Sequence, residues 1–368
     1  MPAKSTKITK KKKFVFFACF VGKILFMRIL IIGGTKFLGR HLIKAAQQNN
    51  HEVTLFNRGK FSQEEFANVE QIHGDRNADL EKLSGGNWDA CIDTCGYLPQ
   101  TVTTSAEFLA DKVNQYVFIS SGSVYAEPSE PNYDEQTATA KLTKEQKEKF
   151  ENFDLNQELN GLVLGESYGA LKVLCEEAAE RAMPNRVLNI RAGMIVGAFD
   201  WTDRFAYWVM RVARGSEMLA PGTPENFVQL IDARDLSEWI IKMIENGETG
   251  IYNATSVSLD LTFGKMLEGM KTTLESDTRF VWADEKFLAA NNVQPWSDMP
   301  FYLPESDAAT QNFLTMNVDR ALSKNLKIRS LKETVRDVFN WRKSQDFAMK
   351  AGISAERESE LLAKWHKQ

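Results

Sequence analysis

The stretch "YGALK" places Tyr168 and Lys172 four residues apart. On a helix that spacing puts both side chains on one face. A free phenol titrates near ~10 and is a poor base at neutral pH. A neighbouring ammonium favours the phenolate, which suits the pair to carrying a proton to and from a hydroxyl. Upstream, "FISSGSVY" ends an apolar run with Ser120, Ser121 and Ser123. A serine hydroxyl at a strand end can hold a substrate oxygen. A Tyr-x3-Lys pair alone is common on surface helices, so its meaning depends on its surroundings.

The second segment with chemistry in it is "IIGGTKFLGR", residues 31–40. Its loop, Gly33, Gly34, Thr35, Lys36, Phe37, Leu38 and Gly39, follows an apolar strand and opens a helical pattern. That is the context a dinucleotide-binding loop requires. Gly33 allows the tight turn and Gly39 the close helix–strand packing. Lys36 stands where the middle glycine of the fingerprint would be. The next strand ends in "FNRGK". A site for an unphosphorylated ribose usually places an acid there. This chain has Asn57, Arg58 and Lys60 instead. Arg58 can hold a 2′-phosphate through a bidentate contact, and Lys36 can add charge. NADP is therefore the preferred cofactor, with NAD as the other possibility. Asp75, in "GDRNADL", can accept a hydrogen bond from adenine or cap its own loop.

Elements to position these residues can be read along the chain. "RILIIG", "EVTLFN", "VEQIHGD", "WDACID", "QYVFISS" and "RVLNIR" read as six strands. "FLGRHLIKAAQQ" and "PQTVTTSAEFLADK" read as intervening helices, the latter with Pro99 near its start. Apolar strands alternating with amphipathic helices predict an α/β fold, a doubly wound parallel sheet of Rossmann type. After about residue 193 the pattern loosens into helices at 204–214, 233–245 and 330–345 with short strands such as "NFVQLI" and "GIYNA". The expected organisation is a dinucleotide-binding domain over 27–192, a smaller interleaved substrate lobe over 193–346, and a terminal helix within 347–368 capped at Ser354. The charged stretch 141–161 reads as a surface insertion with some helix.

Bulk properties exclude several classes. Hydrophobic residues make up 43% and charged residues 26% of 368, ordinary for a globular protein. Four scattered cysteines and four histidines offer neither a disulfide framework nor a metal site. Residues 1–26 hold seven of the 45 basic residues and none of the 49 acidic ones, so the rest is more acidic than the net of −4. An acidic body disfavours nucleic acid as a partner. The apolar run Phe14–Val21 is too short to span a bilayer, so no transmembrane segment is expected there. The leader is read as a disordered extension, or Met27 as the true start, with a cytoplasmic location.

Taken together, "GGTKFLG", "GDRNADL", "FISSGSVY", "YGALK", "RAGMIVG" and "QLIDARDLSEWI" make Met27 to about Lys343 resemble an extended short-chain dehydrogenase/reductase of the NAD-dependent epimerase/dehydratase family. Within it, "GGTKFLG" and "VTLFNRGK" resemble most a bacterial branch of reductase-like or epimerase-like proteins and the chloroplast stem-loop-binding proteins. The resemblance implies that Ser121 binds the substrate hydroxyl and Tyr168 is the general acid/base. It implies that Lys172 contacts the nicotinamide ribose and that Gly33, Gly34 and Gly39 hold the pyrophosphate. Two departures bear on the reaction. Sugar-nucleotide dehydratases carry Thr-Asp-Glu where this chain has Ser121-Gly122-Ser123, so dehydration lacks its acid and base. Nucleotide-sugar epimerases commonly carry Asn where "RAGMIVG" has Met194. Beyond it, "FDWTDRF" supplies Asp200, Trp201, Asp203 and Arg204. Trp201 can stack on a ring and Arg204 can hold an anion; alternatively the segment is a helix start with Asp203 in the first turn. Ser123 joins the substrate candidates.

The expected activity is hydride transfer at a secondary alcohol or ketone of a small molecule, such as a sugar derivative, by an oxidoreductase or epimerase. A small-molecule substrate is the expected partner, and a homodimer is compatible with the reading. The competing class is an RNA-binding or structural protein on the same scaffold; the intact Tyr168/Lys172 pair and the acidic body argue against it.

Overall fold

A computed structural model describes residues 26–61, 64–155 and 159–368. Apart from Phe26, the leader read above as an extension lies outside the described residues. The strands are β1 (Arg28–Ile32), β2 (Glu52–Asn57), β3 (Glu70–His73), β4 (Trp88–Asp93), β5 (Val113–Ile119), β6 (Val187–Ala192), β7 (Met194–Val196), β8 (Glu217–Pro221), β9 (Leu230–Asp232), β10 (Gly250–Ala254) and β11 (Arg279–Ala283). The helices are α1 (Phe37–Gln48), α2 (Pro99–Leu109), α3 (Lys144–Glu151), α4 (Gly161–Leu164), α5 (Tyr168–Ala182), α6 (Arg204–Ala213), α7 (Ala233–Glu245), α8 (Phe263–Leu274), α9 (Glu285–Ala290), α10 (Asp319–Ser323), α11 (Leu331–Lys343) and α12 (Ala355–Trp365).

Seven strands form one parallel sheet in the order β3-β2-β1-β4-β5-β6-β10. Strand β1 shows why it is buried on both faces. Ile29 and Ile31 pack with Leu42 of α1 and Ile240 of α7, while Leu30 and Ile32 pack with Val102 of α2 and Cys175 of α5. Alternate side chains thus feed two apolar layers, which is why the strand reads as a continuous apolar run. The order reverses between β1 and β4, and a ligand cleft forms at the carboxyl ends of strands at such a point.

The second lobe has its own core, with Trp208, Phe263, Phe287 and Leu361 buried together. Its short strands pair as β8 with β11 and β7 with β9. "GIYNA", grouped with this lobe by sequence, instead lies beside β6 as the seventh strand of the main sheet. Its Tyr252 and Ala254 complete the apolar layer that holds Trp239 of α7. That is the form the interleaving takes. "NFVQLI" contributes only its end, as part of β9. Helix α12 starts where expected, with the Ser354 hydroxyl accepting from the Arg357 amide. Its buried Glu358 accepts from Arg211 (2.6 Å), Arg214 (2.5 Å) and the Leu219 amide (3.1 Å), fastening the tail to the second lobe.

Candidate functional site

The glycine turn is dictated by backbone. Gly33 (φ +92°) and Gly34 (φ +83°) are left-handed, and a Cβ on Gly39 would stand 2.2 Å from the Gly34 Cα. Helix α1 begins after Lys36, whose backbone is extended and whose side chain makes no cap. The leading N–H groups of a helix without a side-chain cap are suited to receive an anion. The Lys36 ammonium lies 4.0 Å from the centroid of exposed Phe61. Thr35 gives its carbonyl to Arg40 (3.3 Å), Phe37 packs edge-on to His41, and Leu38 is buried. At the end of β2 the Asn57 side-chain oxygen accepts from the Gly59 amide (2.7 Å), and its buried Nδ2 has no protein partner. Arg58 and Lys60 are exposed beside it. Asp75 accepts from the Asn77 amide (2.8 Å), so it closes its own loop.

Beneath this turn lies a buried network that sequence reading missed. Arg76 grips Asp93 with two bonds of 2.7 Å, and Ser105 accepts from Arg76 (2.9 Å). Tyr116 donates to Asp93 (2.7 Å), as does the Cys95 amide (3.0 Å). Burial works to raise the Asp93 pKa, but Arg76's charge and hydrogen bonds overcome it and hold the carboxyl below its usual range.

The proton-handling side is set by α5. Lys172 is buried one turn after Tyr168, and its ammonium donates to the carbonyls of Gly96 (2.9 Å) and Ile119 (2.6 Å). A Cβ on Gly169 would stand 1.8 Å from the Ser123 carbonyl oxygen, so only glycine lets α5 press onto the serine turn. Ser121 accepts from the Ser123 amide (3.1 Å) and donates to the Ser123 hydroxyl (3.2 Å). Ser120 turns away and donates to Glu176 (2.5 Å), which is paired with buried Arg191. Of the three serines, Ser123 therefore meets the start of the tyrosine helix beside Gly169 and is bonded to Ser121, whereas Ser120 is engaged two turns further along that helix.

The charged insertion is more than a surface loop. Thr143 and Gln146 form a capping box at the start of α3, and Phe150 is buried. Phe150, Phe153, Leu155 and Leu142 join Tyr168 in one apolar cluster. The Gln100 side chain donates to the Phe150 carbonyl (3.0 Å) and that of Asn77 to the Leu155 carbonyl (3.3 Å).

Opposite, the loop before α6 carries the substrate candidates. Asp200 is buried and accepts from the Thr202 amide (2.9 Å) and hydroxyl (2.7 Å); burial pushes its carboxyl above the usual range. Arg204 donates to the Thr202 hydroxyl (3.2 Å) and lies 5.6 Å from the Trp296 ring centroid. Among the described residues no carboxylate forms an ion pair with it. Burial lowers the Arg204 pKa while Asp200 and Tyr168 act to raise it, so Arg204 lies within electrostatic reach of Tyr168. Trp201 is exposed, with the Lys350 ammonium 6.0 Å from its centroid. Asp203 precedes α6 but makes no side-chain cap. A capping side chain works from an extended backbone, and Asp203 is left-handed (φ 58°). Its buried carboxylate instead accepts from the Lys350 amide (3.1 Å) and faces Arg342 (3.4 Å). Met194 is buried in the second core and offers no polar group.

This glycine turn, strand order and Tyr–Lys helix are those of a nicotinamide-dependent short-chain fold. The chain belongs to the NAD-dependent epimerase/dehydratase family, whose model matches residues 29–255. It is 35% identical over 114 residues to the chloroplast stem-loop binding protein of 41 kDa b from Arabidopsis thaliana. That match spans 27% of this chain and 30% of the relative. Among solved structures, UDP-N-acetylglucosamine 4-epimerase from Bacillus cereus superposes with a TM-score of 0.63 at 12% identity, covering 88% of this chain and 98% of that one. The Bordetella bronchiseptica enzyme WbmG, solved in complex with NAD and UDP, gives 0.60 at 14% identity over 90% of this chain and 100% of that one. At such identities the likeness is one of fold. Among the described residues no helix is long and apolar enough to cross a membrane, and no group of three or more His, Cys, Asp or Glu side chains could hold a metal.

Proposed function

We propose that the chain binds NADP(H) and acts as a reductase or epimerase on a secondary alcohol or ketone of a small molecule such as a sugar derivative. The observation that carries this is the convergence of Tyr168, Lys172 and the Ser121–Ser123 turn on the strand ends beside the glycine turn. The residues present fit a dinucleotide: Gly39 has no Cβ to push α1 off the Gly34 turn, so the helix start stays against it, and the orphaned Asn57 Nδ2 needs an acceptor. The nicotinamide, when bound, gives or takes the hydride.

The chain supplies the rest. Gly33, Gly34 and the start of α1 receive the pyrophosphate, and Arg58 with Lys60 takes the 2′-phosphate. Lys172 spends two of its three N–H groups on carbonyls, which fixes it and leaves one for a ribose hydroxyl. Ser121 holds the reacting oxygen and Tyr168 moves its proton. The cluster of Phe150, Phe153 and Leu155 shields the tyrosine from water. Arg204, which forms no ion pair among the described residues, suits an acidic group on the substrate, and Trp201 offers a ring face. Ser121-Gly122-Ser123 contains no carboxylate, so elimination of water is not served.

The test is a cofactor-reduction screen against sugars, polyols and ketones, run with the Tyr168→Phe variant alongside. Turnover should fall about 10²–10⁴-fold while the melting temperature hardly moves. Near-normal turnover in the variant would overturn the reading. Native mass spectrometry separates the branches: retained dinucleotide favours an epimerase, while bound RNA favours a nucleic-acid protein on this scaffold.

A further inference from the structure

Tyr97 is a phenol at the same strand end that the reaction above leaves unused. It follows Gly96, whose carbonyl holds Lys172. A Cβ on Gly96 would stand 2.6 Å from the Phe118 ring and 2.9 Å from the Asp93 carboxylate, so the backbone that presents Tyr97 is tightly held. The Tyr97 ring centroid is 5.7 Å from the Lys172 ammonium, and the ring packs in one cluster with Tyr168, Leu98 and Leu171. Its hydroxyl has no hydrogen-bond partner among the described residues and is not sealed from solvent.

A half-buried phenol that bonds no protein group among the described residues meets water, and a ligand oxygen entering beside it can take that water's place. Burial, with Tyr168, Cys95 and Asp93 nearby, pushes its titration well above the ordinary phenol range. It therefore stays protonated at working pH and donates without exchanging its proton. Ser121 and Tyr168 already supply two partners for the reacting oxygen. A third donor serves a different oxygen.

We infer that Tyr97 donates a hydrogen bond to an oxygen on the carbon next to the reacting carbinol, which makes the substrate a vicinal diol or an α-hydroxy ketone. This rests on Tyr168 being the proton carrier. A site built to bond a substrate hydroxyl discriminates strongly against the analogue that lacks it.

The experiment uses the full chain with NADPH and matched pairs: 2-hydroxycyclohexanone against cyclohexanone, and sugars against their deoxy counterparts. The unmutated protein should favour the vicinal member at least about tenfold in kcat/KM. Tyr97→Phe should lose about 10- to 100-fold on that member, mostly in KM. It should leave the deoxy member, NADPH affinity, melting temperature and the shape of the pH profile unchanged. Equal losses on both members, or no loss on either, overturn the inference while leaving Tyr168 in place. No turnover of any compound by the unmutated protein overturns the Tyr168 reading, and this inference with it.

Discussion

At the glycine turn the wall of the cleft is backbone: two left-handed glycines and a third with no room for a Cβ. Around residues 200–204 it is side chains, drawn from segments far apart in the chain, with Trp296, Arg342 and Lys350 closing on Asp203 and Arg204. The carboxylates differ in the same way. Asp93, under the turn, is clasped by Arg76 and held below its usual range. Asp200, across the cleft, is buried with hydrogen bonds from Thr202; among the described residues it forms no ion pair, and burial outweighs the pull of Arg204's charge and pushes it up. A nucleotide common to many reactions can be met by fixed backbone, whereas a particular substrate must be met by side chains.

The sharpest way to break this comparison is Asp93→Asn. It leaves the Arg76 guanidinium buried against a neutral amide, and losing one partner of a buried pair costs about 3–5 kcal/mol. Chemical denaturation reads it, and a loss under about 1 kcal/mol would mean the network does not anchor the turn. The carboxyl is held below its ordinary 3.8, so this stability is complete above that pH. It drains away only as pH falls through the lower folded value.

A smaller effect is expected at the cofactor's ribose. Arg58→Asp should cost NADP about 1.5–3 kcal/mol of binding and favour NAD by comparison. Calorimetric titration measures both. Tighter NAD than NADP in the unmutated protein would remove the cofactor preference from the proposal.

The smallest effect, opposite in sign to that at Asp93, belongs to Asp200. Its folded pKa is raised, so the folded state takes up the proton more readily than the unfolded chain. That contribution is complete below 3.8 and is lost as pH rises through the folded value. Asp200→Asn should flatten stability against pH above 3.8, as melting curves across mildly acid pH would show. An unchanged slope would put the substrate end on the same electrostatic footing as the cofactor end.

The contrast also explains what could be read from the sequence. The first six strands were legible because burial on both faces demands unbroken apolar runs, as in "RILIIG". Gly33, Gly34 and Gly39 were legible because backbone geometry restricts the residue type locally. Lys172 was legible through its helical spacing from Tyr168. Arg76 was not, since an arginine in "GDRNADL" looks like any polar loop residue until β4 brings Asp93 against it. Nor was Tyr97, whose neighbours Tyr168 and Lys172 come from more than seventy positions away. One signal was available: an aromatic directly after a glycine, in the short loop that follows β4. The helix start read around Asp203 is found one residue on, at Arg204, and the left-handed backbone of Asp203 was not legible because nothing in "WTDRF" reports it.

Strand β10 has a consequence for how the protein is made. The ribosome delivers residues 187–192 long before residues 250–254, and in between it delivers β7, β8, β9, α6 and α7. Until β10 emerges, the outer edge of β6 carries a row of unsatisfied N–H and C=O groups, the kind of edge that recruits strands from other chains. A nascent chain halted anywhere from 193 to 249 would hold the whole glycine turn and the tyrosine helix yet lack the strand that covers β6. The two lobes are completed together, and a chain truncated between them keeps β6 as an unpaired edge of the sheet.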